Sequence, residues 1–241
     1  MVGDVKDWIV VVPFIGPDWV IDGLLEQVEV DLFGRFLFID NTPTGSLKDS
    51  SRHRLHIYGA EVVHRPENAG FAGSVNLGLR RGHEQTIVCS ASVRFPAGFR
   101  RWLEEASAAV TPMGLFTLLS WHLLSLGRPL VERLGYLDEN FYPCELEDID
   151  YMWRMIVAGS LHDEDQGGVG RPRPMSCSRA GLNLSTADHR FKQNGPALSA
   201  YYDRKWGGHP EVFRAPFDNA ANPLGYWPPA TVGELKRRYG V

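Results

Sequence analysis

The chain is poor in cysteine, carries no excess of positive charge and has no long unbroken apolar run. Its three cysteines, Cys89, Cys144 and Cys177, are widely spaced in 241 residues and form no CxxC pair. That spacing fits a reduced compartment and no structural zinc site. A formal net charge of −4 and a pI near 6.1 speak against a general polyanion binder, although a local basic groove stays open. The longest apolar stretch, Met113–Leu126, is interrupted by His122 and two serines, too short and polar to span a bilayer. The N-terminal MVGDVKDWIVVVPF carries acids and lacks the basic region, long apolar region and cleavage site of a secretion signal. The expectation is a soluble cytoplasmic protein. No internal repeat and no low-complexity segment is present.

With 44% hydrophobic and 22% charged residues, the chain suits one globular domain with a substantial core, or one domain and a small extension. Trp8–Phe14 is a β-branched run of the kind that forms a strand buried on both faces. Gly16-Pro17-Asp18 turns the chain into a helix over Trp19–Val28. Arg35–Ile39 reads as a second buried strand ending at Asp40-Asn41, and Thr42–Ser51 as a loop of turn formers. Further strands are expected at Ala60–His64 and Thr86–Cys89, with helices over Asn68–Arg80 and Phe99–Val110. This alternation predicts an α/β fold with a mainly parallel sheet. Ligands of such sheets bind at the carboxyl ends of the strands, where Asp40, Arg65 and Ser90–Ser92 would sit. Asp163–Pro174 reads as a loop, and residues 195–241, rich in Pro, Gly and aromatics, as an irregular extension on a core formed by 1–194.

Two stretches carry chemistry. In Cys144–Gly159, CELEDIDYMWRMIVAG, four acids (Glu145, Glu147, Asp148 and Asp150) fall within six positions ahead of a mostly apolar helical run. Asp148 or Asp150 could simply cap that helix, since a carboxylate accepts the free amides of a first turn. In Arg65–Gly78, RPENAGFAGSVNLG, the glycines at 70, 73 and 78 permit close backbone approach to a ligand or to another element, and a helix start offers amides to phosphate. Glycines at such a junction serve packing as often as binding.

In combination, a strand ending in IDN (Ile39–Asn41), then RPENAGFAGSVNLG, then a strand with a short polar motif, then LGYLDENFYPCELEDIDYMWRMIVAG resemble family 2 GT-A glycosyltransferases, rhamnosyltransferase-like members especially. The resemblance covers roughly residues 8–160. The later YYDRKWGGHPEVFRAPF (Tyr201–Phe217) is similar to the ending of some bacterial and phage members. What the resemblance implies is a GT-A fold and an inverting transfer of a sugar from a nucleoside diphosphate to an acceptor hydroxyl. It places Pro13, Asp40, Arg65, Asn68, Gly70 and Asn76 on the donor side, with Asp40 reading the base. Asp148 becomes the general base and Glu147 its neighbour, holding the acceptor or tuning the base. Glu145 and Asp150 stay structural, a solvated loop carboxylate and a helix cap. Trp121 and His122 would be acceptor-side, or Trp121 merely core.

At the fourth strand the chain departs from the family. An Asp-x-Asp-like motif whose last aspartate holds Mn²⁺ or Mg²⁺ is expected, yet the residues are Cys89-Ser90-Ala91-Ser92-Val93-Arg94. A neutral hydroxyl is a poor ligand for a hard divalent cation, so Ser92 is a doubtful one. Three readings follow. The metal is held by other groups such as His189, or Arg94, Arg171, Arg173 or Arg179 replaces it, or the chain is a non-catalytic nucleotide-sugar binding module. A saccharide acceptor is the default. A hydroxymethylated base in DNA is the alternative, with Arg171, Arg173, Arg179, Arg190 and Lys192 as its basic groove, or a virion protein, either in host cytoplasm for a phage-encoded enzyme. Lys205-Trp206 either closes over the site or packs as a structural tail.

Overall fold

The computed structural model describes residues 7–16, 19–28, 30–43, 47–95, 99–100, 115–117, 122–157, 178–179 and 195–206. Strand β1 (Trp8–Phe14) is central, flanked in parallel by β2 (Phe36–Asp40) and β4 (Gln85–Cys89), with Val10 opposite both Phe36 and Ile87. Strand β3 (Glu61–His64) continues the parallel set on the outer side of β2. Strand β5 (Val93–Arg94) leaves this sheet and pairs with β8 (Ser178–Arg179). On the other side of β4 run β7 (Leu123–Gly127), antiparallel to it, and β6 (Leu115–Thr117), antiparallel to β7. The sheet order is therefore β3-β2-β1-β4-β7-β6.

Alternate residues of β1 serve two layers, as a pleated strand requires. Trp8, Val10, Val12 and Phe14 pack with Ile21, Leu24 and Leu25 of helix α1 (Trp19–Gln27) and with Phe33 of a 3₁₀ turn over Val30–Arg35. Ile9 and Val11 face the opposite layer with Leu37 and Ile39. There helix α3 (Gly70–Leu79) lies so close that a Cβ on Gly78 would stand 2.1 Å from Cγ2 of Val11. The same layer holds Leu130 and Leu134 of α4 (Arg128–Leu134) and Tyr151 and Met155 of α5 (Glu147–Val157). Side chains buried on this scale supply about 1.5–3 kcal/mol each.

The first four strands and the helices at 19–27 and 70–79 lie within a residue or two of their expected positions. Helix α2 (Asp49–Ile57) begins inside the stretch Thr42–Ser51 expected as a loop and runs on through residues for which no element is expected. It buries just Ser51 and Leu55, so it writes no apolar periodicity into the sequence. The stretch Met113–Leu126 contributes β6 and most of β7. The extension, expected to be irregular, forms helix α6 over Gly195–Trp206. The helix expected at Phe99–Val110 lies outside the described residues beyond Arg100, as do the loop Asp163–Pro174 and the chain after Trp206. Among the described residues no helix is long and apolar enough to cross a membrane.

Candidate active site

A cleft of 330 Å³ opens at the carboxyl ends of β1 and β4, the edge where parallel sheets bind ligands. Pro13, Phe14 and Ile15 form one wall, Asn68, Gly70 and Phe71 a second, and Glu147 and Asp148 a third, with Ser90 and His122 also on its lining.

The two chemistry-bearing stretches meet backbone to backbone here. Gly70 has φ +72°, and a Cβ on it would lie 2.7 Å from the carbonyl oxygen of Pro143. The next amide, Phe71 N–H, donates to that carbonyl at 2.7 Å, while Gly70 N–H donates to Asn68 Oδ1 at 2.8 Å. Two amides at the start of α3 are thus occupied by the protein itself. Gly70 serves close packing first, and the cleft is the gap left beside that contact. Asn41 ties the same corner to β2: Ala69 N–H donates to its Oδ1 at 3.1 Å and its Nδ2 donates to Ser74 at 2.8 Å.

The acidic wall comes from the first turn of α5. Glu145 and Leu146, just before it, both adopt left-handed backbone (φ 83° and 70°), a conformation costing about 1–2 kcal/mol per residue. The turn leaves Glu145 exposed on the cleft lining and carries Glu147 inward. Glu147 is 5% exposed, and its Oε2 has no hydrogen-bond partner. Burial first, then the neighbouring Asp148, pushes its carboxyl well above the usual glutamate range. Asp148 is half-buried, and burial raises it too, opposed by the Ile149 amide, which donates to its Oδ1 at 2.8 Å.

Asp150 is not a cap. It is fully buried, and its Oδ1 receives Lys205 Nζ at 2.7 Å and Trp206 Nε1 at 2.8 Å, both from α6. Its Oδ2 accepts Arg154 Nε at 3.1 Å, with Nη2 at 3.0 Å. Arg154 Nη1 also donates to the carbonyls of Leu134 and Tyr136 at 3.0 and 2.8 Å. Lys205 Nζ further meets Asp138 Oδ2 at 2.6 Å, which the Tyr201 hydroxyl joins at 2.7 Å. Two carboxylates and two cations thus share one buried cluster, and Lys205-Trp206 are packed in it rather than over the cleft. Sequence reasoning missed this cluster because Asp138, Asp150 and Lys205 come from distant segments.

The remaining expected residues divide. Pro13, Asn68, Gly70, Ser90, His122, Glu147 and Asp148 come together on the cleft. Asn76 does not join them. It is fully buried, its Nδ2 donating to Leu137 O at 2.9 Å and Glu139 Oε1 at 2.8 Å while Leu137 N–H donates to its Oδ1. Asp40 is buried at the end of β2, where Thr42 N–H donates to its Oδ1 at 3.0 Å. Its Oδ2, 3.3 Å from His64 Nδ1, makes no hydrogen bond. Arg65 is half-exposed beside it, its amide donating to Asp40 O at 2.7 Å, and neither residue lines the cleft. Arg94 and Arg179 lie on paired strands β5 and β8, Arg94 opposite Ser178 and Arg179 opposite Val93. The side chain of Arg94, and Trp121, Arg171, Arg173, His189, Arg190 and Lys192 altogether, lie outside the described residues.

Ser90 and Ser92 bond to each other, their hydroxyls 2.9 Å apart. That pair offers no anionic oxygen to a divalent cation. Among the described residues no group of three or more His, Cys, Asp and Glu side chains could hold a metal. The donors at this position do not fit a Mn²⁺ or Mg²⁺ site.

This arrangement of sheet and cleft is the GT-A glycosyltransferase fold. Two solved structures show the likeness over 98% of the chain: the mannosyltransferase PcManGT of Pyrobaculum calidifontis, in complex with GDP-Man and Mn²⁺, and GalNAc-T7, with UDP, GalNAc and Mn²⁺. The first is 16% identical with a TM-score of 0.56 and is covered over 76% of its length. The second is 11% identical with a TM-score of 0.54 and is covered over 54%. No protein-family model and no curated protein sequence matches the chain.

Proposed function

We propose that the protein is an inverting glycosyltransferase that moves a sugar from a nucleoside diphosphate to a saccharide hydroxyl, with Asp148 as general base. The observation that carries this reading is the adjacent Glu147 and Asp148 on the cleft wall, in a fold whose solved examples were captured with GDP-Man or UDP. An acceptor hydroxyl is a poor nucleophile until a positioned base takes its proton as the new bond forms. Asp148, half-buried and on the cleft, takes that proton. The hydroxyl oxygen attacks the anomeric carbon opposite the diphosphate, the carbon–oxygen bond to phosphate breaks, and configuration inverts. Glu147, more deeply buried, keeps its proton to higher pH and leaves Asp148 as the ionised partner.

Mass-spectrometric turnover of a nucleotide-sugar panel tests the reading, with Mn²⁺ or Mg²⁺ added and again with EDTA. Asp148→Asn should lose at least about 10²-fold in rate, the scale of general-base catalysis, and keep donor binding. Equal turnover by mutant and parent would remove Asp148 from the mechanism. The Ser90–Ser92 pair favours one rival reading, a nucleotide-sugar binding module. Donor binding by the parent, without turnover across the panel and across saccharide acceptors, decides for it.

A further inference from the structure

We infer that Lys205 and Trp206, in the last turn of α6, are positioning residues that hold the first turn of α5 and so fix where Glu147 and Asp148 point. The inference rests on the reading of Asp148 as base and assigns α6 a part in that site. Three observations carry it. Lys205 is 2% exposed and its Nζ bridges Asp138, in the loop after α4, to Asp150 on α5. It therefore joins three elements at one atom. Trp206 donates its indole N–H to the Asp150 oxygen that Lys205 also holds, fixing that carboxylate from a second direction. Finally, α5 starts from two consecutive left-handed residues, Glu145 and Leu146. Such a conformation persists only where its surroundings over-determine it. The apolar cluster of Phe141, Tyr142, Leu198, Tyr201, Tyr202 and Trp206 packs partly buried Leu146 and Ile149, which flank the carboxylate pair in sequence. Without the Asp150 anchor, the start of α5 is free to relax toward ordinary backbone, and Asp148 moves with it.

Removing Lys205 outright endangers folding, since it strands buried carboxylates. Trp206→Phe is the primary variant, because it deletes one donor and keeps an aromatic ring. Hydrogen exchange of residues 147–157 and steady-state turnover are measured together on the full chain. Exchange in that segment is expected to rise about tenfold, as for a locally loosened unit, while β1 and β4 keep parental protection. The kcat is expected to fall about tenfold with donor KM within about twofold, the signature of a misplaced catalytic group. Lys205→Arg should recover kcat relative to Lys205→Met.

Parental exchange in 147–157 of Trp206→Phe overturns the proposal, and does so even on a parent that turns over no donor. So does raised exchange with parental kcat. Asp148→Asn, run in parallel, separates the two readings. If it turns over like the parent while Trp206→Phe slows, the base assignment falls and the positioning role stands. If it is inactive while Trp206→Phe keeps parental exchange and kcat, the positioning role falls alone.

Discussion

Asp148 and Asp150 stand in the same helical turn and meet opposite surroundings. Asp150 is fully enclosed, with Lys205 Nζ and Trp206 Nε1 on one oxygen and Arg154 Nε on the other, where Arg154 Nη2 adds a charge contact. Asp148 looks onto the cleft, where its carboxylate accepts from backbone amides of its own turn, the Ile149 amide at 2.8 Å among them. Glu147 beside it is as deeply buried as many core residues but leaves one oxygen unsatisfied. The same residue types, a few ångströms of helix apart, are thus closed off by protein donors in one case and left facing the cleft in the other. The lesson concerns the division of labour along the helix: one side of the first turn is anchored so that the other can remain open.

The widest separation between these two environments comes from the paired substitutions Asp150→Asn and Asp148→Asn. Asp150→Asn removes a charge that two cations face, and breaking a buried pair of this kind costs about 3–5 kcal/mol. Chemical denaturation should show that loss. Asp148→Asn should leave stability within about 1 kcal/mol of the parent, since a partly exposed carboxylate that no cation faces contributes little. Equal destabilisation by both would mean that the first turn acts as one structural unit, and the contrast would fail.

Next in size is Gly70→Ala, which tests the corner that holds the acidic wall against α3. A methyl there meets Pro143 O at 2.7 Å, and the backbone is at φ +72°. The strain alone costs about 1–3 kcal/mol, and relieving the overlap stretches the Phe71–Pro143 hydrogen bond. A lower Tm with weakened donor binding is expected. Parental donor affinity would show that the cleft does not depend on this contact.

Much of the sheet was legible because β-branched and aromatic runs such as WIVVVPF can be buried only in a doubly covered strand. The carboxylate pair was legible as a motif. Its contrast with Asp150 was not, because that depends on Lys205 and Trp206, whose contact with Asp150 no local pattern announces. Helix α6 was readable in principle. Leu198, Tyr201, Tyr202, Lys205 and Trp206 are its buried residues, spaced as one helical face. A lysine on that stripe and the surrounding Pro, Gly and aromatic composition disguised it. Asn76 misled in the other direction: the resemblance places it on the donor side, but its amide holds the Leu137–Glu139 loop. Ser90 and Ser92 were legible as hydroxyls where the resemblance expects a metal-holding acid, and their bond to each other needed coordinates.

The smallest expected effect is the most diagnostic of the open side. Glu147→Gln replaces a buried carboxyl, one oxygen unsatisfied, with a neutral amide of the same shape. Because burial and Asp148 hold the Glu147 carboxyl above its ordinary range, the folded state binds a proton that the unfolded chain has released. Stability from this group is therefore present at low pH and declines as pH rises from the ordinary glutamate range through the raised value. Glu147→Gln removes that decline. Above the ordinary glutamate range it should be more stable than the parent by on the order of 1 kcal/mol, and the gap should close on acidification toward pH 4. Parallel stability curves from acid to neutral pH would show that Glu147 ionises as freely folded as unfolded. In that case its proximity would no longer explain why Asp148, rather than Glu147, carries the base.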